Sequence, residues 1–193
     1  MHERDVRTAA PSEIDQCVAT IVLAFSGDPV ARWAFADPHT YFETFPRFVR
    51  AFGGKAFEQG SAHLIVGCAA ALWLPPGVAP EEETMAALIE SALAESNREA
   101  MFGMFEQMAA FHPAEPHWYL PLIGTDPVRQ GKGFGAALLG HALSICDEQT
   151  MPAYLEATSA RSARLYRRHG FEALGTIQAG NSPPLTPMLR RPR

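Results

Sequence analysis

The chain has 193 residues, of which 47% are hydrophobic, so it is long enough for one domain with a buried core. Its formal net charge of -5 argues against a general nucleic-acid binder, because such proteins carry a surplus of Lys and Arg that neutralises phosphates. The three cysteines, Cys17, Cys68 and Cys146, are far apart in sequence and show neither a disulfide framework nor the spacing of a metal site.

The sequence shows no pattern of a signal peptide or of a membrane-spanning helix. The first residues lack the apolar core of a signal peptide, and no apolar run reaches the ~18 residues of a membrane span. We therefore expect a cytoplasmic protein with reduced thiols that binds neither membranes nor nucleic acid. The sequence does not decide whether the protein forms a homodimer.

Charge is distributed unevenly along the chain. Residues 80–115 hold eight acidic residues and one arginine, whereas residues 160–193 hold seven arginines and one glutamate. Such segments are usually solvated faces. Alternatively, they form an acidic wall near a cationic substrate and a basic wall near an anionic cofactor.

The first 111 residues are expected to be mostly helical, with three short strands. Ser12 is the expected N-cap of the first long helix, because acidic residues follow it and an apolar stripe continues to about Ser26. The elements predicted in chain order are a strand at 6–9, helices at 12–26, 30–36 and 41–59, strands at 63–66 and 69–74, and helices at 81–96 and 98–111.

The stretch from Trp118 to Ala136 organises the second half of the chain. A buried strand is expected from Trp118 to Ile123, followed by a turn, a glycine-rich loop and a helix. The predicted elements from here on are the helix at 133–147, a strand at 153–157, a short helix at 162–169 capped by Gly170, and strands at 171–178 and 185–189.

The glycine-rich loop at Gln130–Gly135 is a candidate phosphate site. A glycine-rich turn that opens a helix directs free backbone N–H groups and the positive end of the helix dipole at one spot, which suits a phosphate. A strand-to-helix connection that uses glycines for packing is the equally plausible structural interpretation.

Two common nucleotide motifs fit this loop less well. A Walker A loop fails, because Gly133 stands where that motif needs Ser or Thr and Asp126 stands at its first glycine. A dinucleotide fingerprint matches at Gly131, Gly133 and Ala136, with Glu156 about 20 residues further on. The 57 residues that follow Ala136, however, are too few for the second half of a doubly wound sheet.

Two further motifs carry a family resemblance. Gln130, Gly133 and Gly135 match the loop Gln/Arg-x-x-Gly-x-Gly/Ala, and Leu165–Phe171 matches Leu/Phe-Tyr-x-x-x-Gly-Phe at the expected separation. The chain therefore resembles the Gcn5-related N-acetyltransferase (GNAT) superfamily over most of its length. The strings PLIGTDPVRQGKGFGAALL and PAYLEATSARSARLYRRHGF are most similar to the branch that contains puromycin N-acetyltransferase.

The resemblance implies a fold and a cofactor. The fold would be one α/β (α+β) domain over 1–193, with a mixed sheet of six to seven strands flanked by helices and a V-shaped splay between the two central parallel strands. The cofactor would be acetyl-CoA, with residues 81–112 as a helical insert that caps the acceptor site together with Trp33 and Phe35. The expected cofactor contacts are Ile123, Gly124, Thr125, Gln130, Gly131, Lys132, Gly133, Phe134, Gly135, Ala136 and Ser159.

The resemblance also implies roles for individual side chains. Tyr166 would protonate the leaving thiolate, Glu156 would take the proton of the amine, and an N–H near Leu122 or Ile123 would bind the oxyanion. His117 and water are alternatives to Glu156 as the base. Many family members carry Asn seven residues before the tyrosine, where this chain has Ser159.

Arg129, Lys132 and Arg161 are candidates for the 3′-phosphate of the cofactor, with solvated surface as the alternative for each.

These expectations favour an N-acetyltransferase that acts on a primary amine of a small molecule by direct attack in a ternary complex. Two alternatives stay open on the same fold. One is a non-catalytic domain that binds or senses acyl-CoA, and the other is an acetyltransferase for protein N-termini or lysines. Fold analogy alone does not fix the acceptor.

Overall fold

The computed structural model describes residues 5–193, which form one seven-stranded sheet with helices on both faces. The strands are β1 (Arg7–Thr8), β2 (Ala62–Ile65), β3 (Ala69–Leu74), β4 (Trp118–Thr125), β5 (Ala153–Ala157), β6 (Glu172–Ala173) and β7 (Thr186–Arg190). Their order across the sheet is β1-β2-β3-β4-β5-β7-β6, and the β4–β5 pair alone among these is parallel. The mixed sheet predicted from the sequence is confirmed.

Eight helices connect or cover these strands within the described residues. They are α1 (Ile14–Phe25), α2 (Pro29–Ala34), α3 (Pro38–Gly53), α4 (Lys55–Glu58), α5 (Glu82–Ala92), α6 (Glu95–Phe111), α7 (Phe134–Glu148) and α8 (Ala160–Arg168). Within residues 5–193, none of the helices combines the length and apolar character that crossing a bilayer requires.

The parallel strands β4 and β5 pair at one end and then part. Their ladder joins Trp118 to Ala153 and Tyr119 to Tyr154, and no further pair joins them, although β4 continues to Thr125. The ladder between β3 and β4 shifts register at the same level, because Leu72 faces Leu122 whereas Leu74 faces Tyr119.

Pro121 gives a physical reason for this parting. Two residues of β4 lie opposite one residue of β3 here, which is a β-bulge, and Pro121 has no N–H to donate to a neighbouring strand. A bulge bends its strand and increases the local twist, so β4 turns away from β5 beyond this point. Within the described residues, the edge of β4 after Pro121 has no backbone partner on the β5 side.

The sheet separates two apolar clusters. One contains Tyr154 of β5 and is covered by α1, α3 and α5, while the other contains Leu155 and is covered by α7 and α8. Because successive side chains of a strand point to opposite faces, Glu156 lies on the same face as Tyr154.

Two local predictions are wrong. Ser12 is not the N-cap of α1: it lies in a short 3-10 turn (Pro11–Glu13), and the Glu13 carboxylate accepts hydrogen bonds from the Ala10 N–H and from Arg7. The strand expected at 171–178 is reduced to β6 and an isolated bridge between Ile177 and Leu185. The chain leaves the sheet at Gly175, where an added Cβ would lie 2.8 Å from the Phe111 ring.

Close packing of α1 on β4 predicts that Gly124→Ala is destabilising. A Cβ at Gly124 would lie 2.7 Å from the Ala24 Cβ and 3.2 Å from the Ile21 Cα, so helix and strand must move apart. We expect a loss of about 1–3 kcal/mol, which lowers the melting temperature by about 2–4 °C per kcal/mol. Gly27→Ala is the matched control, since no atom lies within 4 Å of its added Cβ, and thermal denaturation that shifts both variants equally contradicts this packing.

Candidate active site

The loop between β4 and α7 presents a row of free backbone N–H groups. Within residues 5–193, no N–H from Gly131 to Ala136 makes a hydrogen bond, and Gly133 caps α7 without any side-chain partner. Gly131 and Gly133 have φ values of 79° and 87°, a conformation that favours glycine. The free groups and the helix dipole together make the start of α7 suitable for an anion such as a diphosphate.

Hydrogen bonds hold this loop against the neighbouring elements. The Gln130 side chain donates to the Thr125 carbonyl over 3.2 Å and accepts from Arg161 over 2.8 Å, which ties the loop to the end of β4 and to α8. A Cβ added at Gly135 would lie 3.5 Å from Leu165 Cδ2 and 3.6 Å from Thr125 Oγ1. The end of β4, the loop and α8 therefore meet at one place.

The predicted cofactor residues divide into three groups. Ile123, Gly124 and Thr125 lie on β4 beyond its last pair with β5, and the residues from Gln130 to Ala136 form the loop and the first turn of α7. Ser159 caps α8, because its hydroxyl accepts from the Ser162 N–H over 3.1 Å. The Ser159 hydroxyl therefore forms the N-terminal cap of α8.

A cavity opens on the face of the sheet that carries Glu156. The space between its atoms is about 640 Å³, which includes open solvent at its mouth. Apolar side chains dominate its walls, and the carboxylates that reach it are those of Asp28 and Glu156. The lining residues are Phe25, Asp28, Val30, Ala31, Ala34, Phe35, Phe45, Phe48, Phe52, Met101, Met104, Phe105, Met108, Pro121, Leu122, Glu156, Thr158 and Leu185.

This cavity revises the expected acceptor site. Of the residues expected to cap the acceptor site, Phe35 and four residues of α6 line this cavity, whereas Trp33 does not. The eight acidic residues of segment 80–115 are all exposed and none of them reaches the cavity, so they do not form an acidic wall around it. Consecutive β4 residues Pro121 and Leu122 both line it, because the bulge interrupts the alternation of the strand.

Glu156 is a buried carboxyl group between two strands. Its Oε2 accepts a hydrogen bond of 2.9 Å from the Tyr119 hydroxyl, and its side chain is 5% exposed. Burial raises the pKa of Glu156 to about 7, and the hydrogen bond from Tyr119 opposes this rise. A carboxyl group with this pKa exchanges protons near neutral pH, as a general base must.

Asp28 is the second carboxylate of the cavity, and the sequence analysis did not identify it. Its Oδ1 accepts from the N–H groups of Val30 and Ala31, so it is the N-cap of α2, and its Oδ2 accepts from the Thr158 hydroxyl. Burial raises the pKa of Asp28, although these hydrogen bonds oppose the rise. The Asp-Pro pair at 28–29 is a typical helix start, but no sequence pattern indicates that it meets the end of β5.

His112 was also missed. It ends α6, its Nε2 lies 3.6 Å from Glu156 Oε1, and its Nδ1 lies 3.3 Å from His117 Nε2. His117, considered above as an alternative base, does not line the cavity and reaches Glu156 through His112. Forty-four positions separate His112 from Glu156, so periodicity could not have connected them.

Tyr166 lies on the other face of the sheet from Glu156. Its ring packs against Phe171 with 5.9 Å between centroids, and its hydroxyl makes no hydrogen bond within residues 5–193. Burial raises the pKa of Tyr166, and the charge of Asp28 acts in the same direction, so the phenol stays protonated at neutral pH. The sheet therefore has a protonated phenol on one face and the Glu156 carboxyl group on the other.

Comparisons with known proteins show the family and the fold of the chain. Residues 22–171 match the model of the acetyltransferase (GNAT) family. A stretch of 78 residues, 39% of the chain, is 31% identical to an uncharacterised N-acetyltransferase of Schizosaccharomyces pombe and spans 32% of that protein.

Two solved structures share the fold over nearly the full length of both chains. A protein of Corynebacterium glutamicum, described as histone acetyltransferase HPA2 and related acetyltransferase, has a TM-score of 0.69 and 26% identity, with 97% of this chain and 96% of that chain covered. Arylalkylamine N-acetyltransferase 2 of Aedes aegypti has a TM-score of 0.68 and 14% identity, with 98% and 99% covered. Since the family model covers most of the sequence, the chain belongs to the GNAT family of acetyltransferases.

Proposed function

We propose that this protein transfers the acetyl group of acetyl-CoA to a primary amine of a small, largely apolar molecule, by direct attack in a ternary complex. The observation that carries this proposal is the gap between β4 and β5, which has free amides at its end and a carboxyl-bearing cavity at its side. The family membership and the similarity to an arylalkylamine N-acetyltransferase point in the same direction.

In this proposal the cofactor lies along the gap. The N–H groups of Gly131–Ala136 hold the diphosphate. Lys132 belongs to the same loop and Arg161 is bonded to it through Gln130, so these two side chains bind a further phosphate of the cofactor. The pantetheine arm resembles an extended peptide, so it hydrogen-bonds to the unpaired edge of β4 at Ile123–Thr125. The thioester then reaches the part of the gap next to Pro121, where a β4 N–H stabilises its oxyanion.

The chemistry requires a base and a hydrogen-bond donor. Glu156 removes a proton from the ammonium group, and the neutral amine attacks the thioester carbon to form the C–N bond. When the tetrahedral intermediate collapses, the C–S bond breaks and the sulfur leaves as a thiolate. Tyr166 donates a hydrogen bond and a proton to that sulfur and regains a proton from the nitrogen, so one proton is released per turnover.

The cavity suggests the class of acceptor. Its walls carry six phenylalanines and three methionines from four helices or their flanks, which suits an aromatic or branched apolar body, and its carboxyl groups suit the amine end. A protein substrate needs an open groove instead. We therefore propose arylalkylamines as the preferred acceptors.

A panel of amines tests this proposal through thiol release from acetyl-CoA, with the products identified by mass spectrometry. The panel contains 2-phenylethylamine, tryptamine, agmatine, puromycin and a lysine peptide. We expect turnover, with kcat/KM highest for the arylalkylamines. Binding of acetyl-CoA without turnover of any amine would indicate a non-catalytic domain, and a preference for the peptide would indicate a protein acetyltransferase.

A further inference from the structure

Each turnover of the proposed reaction leaves a proton on a side chain that water reaches poorly. An ammonium group loses two protons when it becomes an amide, and the thiolate takes up one of them. The second proton is held by Glu156, whose side chain is 5% exposed. It must leave before the next ammonium group can be deprotonated, so the position of proton acceptors around Glu156 matters.

Hydrogen bonding fixes the protonation of the two histidines beside Glu156. His117 Nδ1 lies 2.8 Å from the Glu115 carbonyl oxygen, which accepts only, so this nitrogen carries a hydrogen. In the neutral ring, His117 Nε2 is then an acceptor. His112 Nδ1 lies 3.3 Å from that nitrogen and is therefore the donor of the pair.

The same reasoning leaves one nitrogen of His112 without a hydrogen. In the neutral ring its Nε2 carries a lone pair, and this atom faces Glu156 Oε1 over 3.6 Å. Glu156 Oε1 is buried and has no partner within hydrogen-bond distance among residues 5–193, although the Tyr154 hydroxyl also interacts with this carboxyl group. A proton on Oε1 thus has the lone pair of His112 Nε2 within 3.6 Å, whereas the other oxygen, Oε2, accepts a hydrogen bond from the Tyr119 hydroxyl.

We infer that His112 and His117 form a proton exit path that carries the proton from Glu156 Oε1 to solvent; this inference rests on the proposed role of Glu156 as the base. The proton passes from Oε1 to His112 Nε2, the Nδ1 hydrogen of His112 passes to His117 Nε2, and the partly exposed His117 releases one proton to water. Reorientation of the rings then restores the starting tautomers. The distances of 3.6 and 3.3 Å are longer than working hydrogen bonds, as is usual before a substrate closes a site.

The surroundings of the three groups favour transfer over storage of the proton. Burial and the neighbouring His117 lower the pKa of His112 to about 4, so His112 is neutral at pH 7 and holds the proton only transiently. Since burial raises the pKa of Glu156 and lowers that of His112, the proton resides mainly on Glu156 and occupies His112 only briefly. The path therefore conducts the proton and does not trap it.

Few other titratable or charged groups face this path. The Glu115 carboxylate pairs with Arg191 at the surface, and Asp28 lies across the cavity from Glu156. Rings of Tyr119 and Tyr154 flank His112, with centroids 4.6 and 4.5 Å away, and exclude water from its sides. The groups that face the path from the packed elements are Asp28, Glu115, Tyr119, Tyr154 and Arg191.

The test compares His117→Ala and His112→Ala with wild type, using acetyl-CoA and 2-phenylethylamine. Loss of the path makes proton release limiting, so we expect kcat to fall by about 10–100-fold and the solvent deuterium isotope effect on kcat to rise. Added imidazole at fixed pH and ionic strength should restore kcat of His117→Ala, since a small base can replace the exposed ring. A change in packing alone would not respond to imidazole.

Two controls make the result specific. His39→Ala removes an exposed histidine of α3 that pairs with Glu43 one helical turn away and does not line the cavity, so it should leave kcat and the isotope effect unchanged. The melting temperature of His117→Gln shows whether this variant is folded. A fall in its kcat at an unchanged melting temperature then reports loss of proton transfer and not loss of folding.

The outcomes separate the path from the proposed function. If wild type transfers acetyl groups and Glu156→Gln is inactive, but the His117 variants keep the wild-type kcat and isotope effect, the exit path is wrong and the base assignment stands. Lost activity in His117→Ala that imidazole does not restore also overturns the path. No transfer by wild type to any amine of the panel overturns both.

Discussion

Replacing Tyr166 with Phe is expected to lower kcat by about 10²–10³-fold while KM for acetyl-CoA changes little. The ring of Tyr166 packs against Phe171, and Phe keeps this contact, whereas the hydroxyl makes no hydrogen bond within residues 5–193. Its removal therefore costs little folding energy but leaves the leaving thiolate without its donor. Steady-state kinetics with varied acetyl-CoA measure the effect.

A second tyrosine provides the contrast for this variant. Tyr41 is also buried, but its hydroxyl donates a hydrogen bond of 2.6 Å to the Val22 carbonyl. Tyr41→Phe should therefore reduce stability, by about 1 kcal/mol, and leave kcat near wild type. Equal kcat for Tyr166→Phe and wild type would remove Tyr166 from the proposed reaction.

Replacing Glu156 with Gln is expected to lower kcat/KM by about 10²–10⁴-fold, because the amide cannot accept a proton from the ammonium group. Its oxygen can still accept the hydrogen bond of Tyr119, so the fold is kept. In wild type, kcat/KM should rise with pH until about 7, where Glu156 becomes ionised. Kinetics from pH 5 to 9 test both statements.

The same variant should be more stable than wild type at high pH. Because the pKa of Glu156 is raised on folding, its stabilising contribution is complete below the unfolded pKa and is lost as pH rises through about 7. Gln imitates the protonated form at every pH, so the difference in unfolding free energy grows from pH 5 to pH 8, to about 3 kcal/mol. Glu106→Gln on the surface of α6 is the control, and thermal denaturation that shows no such growth contradicts the burial of an ionisable Glu156.

Local patterns were sufficient to predict most elements of this fold. The apolar stretch at Trp118, the glycine-rich loop and the alternating residues of β5 each specify their own structure, and Ala153–Ala157 is confirmed with both bounds. The strand expected at 171–178 is interrupted around Gly175, where Phe111, which is distant in sequence, leaves no room for a side chain. Tertiary packing overrides local propensity there.

The site was less accessible from the sequence because it depends on contacts between distant segments. Loop residues such as Gly133 are recognisable through their backbone requirement, and Tyr166 through its motif. The groups around Glu156 have no such signal: its partners Tyr119 and His112 come from a strand and a helix end, and Asp28, which lines the same cavity, comes from a helix start. The bulge at Pro121, which parts β4 from β5, likewise depends on the register with β3.

A crystal structure with coenzyme A bound is the most direct measurement of the proposed geometry. We expect the diphosphate within hydrogen-bond distance of the amides of Gly131–Ala136, the pantetheine along β4 at Ile123–Thr125, and the sulfur next to the Tyr166 hydroxyl. Coenzyme A bound outside the gap between β4 and β5, or with its sulfur beyond reach of Tyr166, would contradict it.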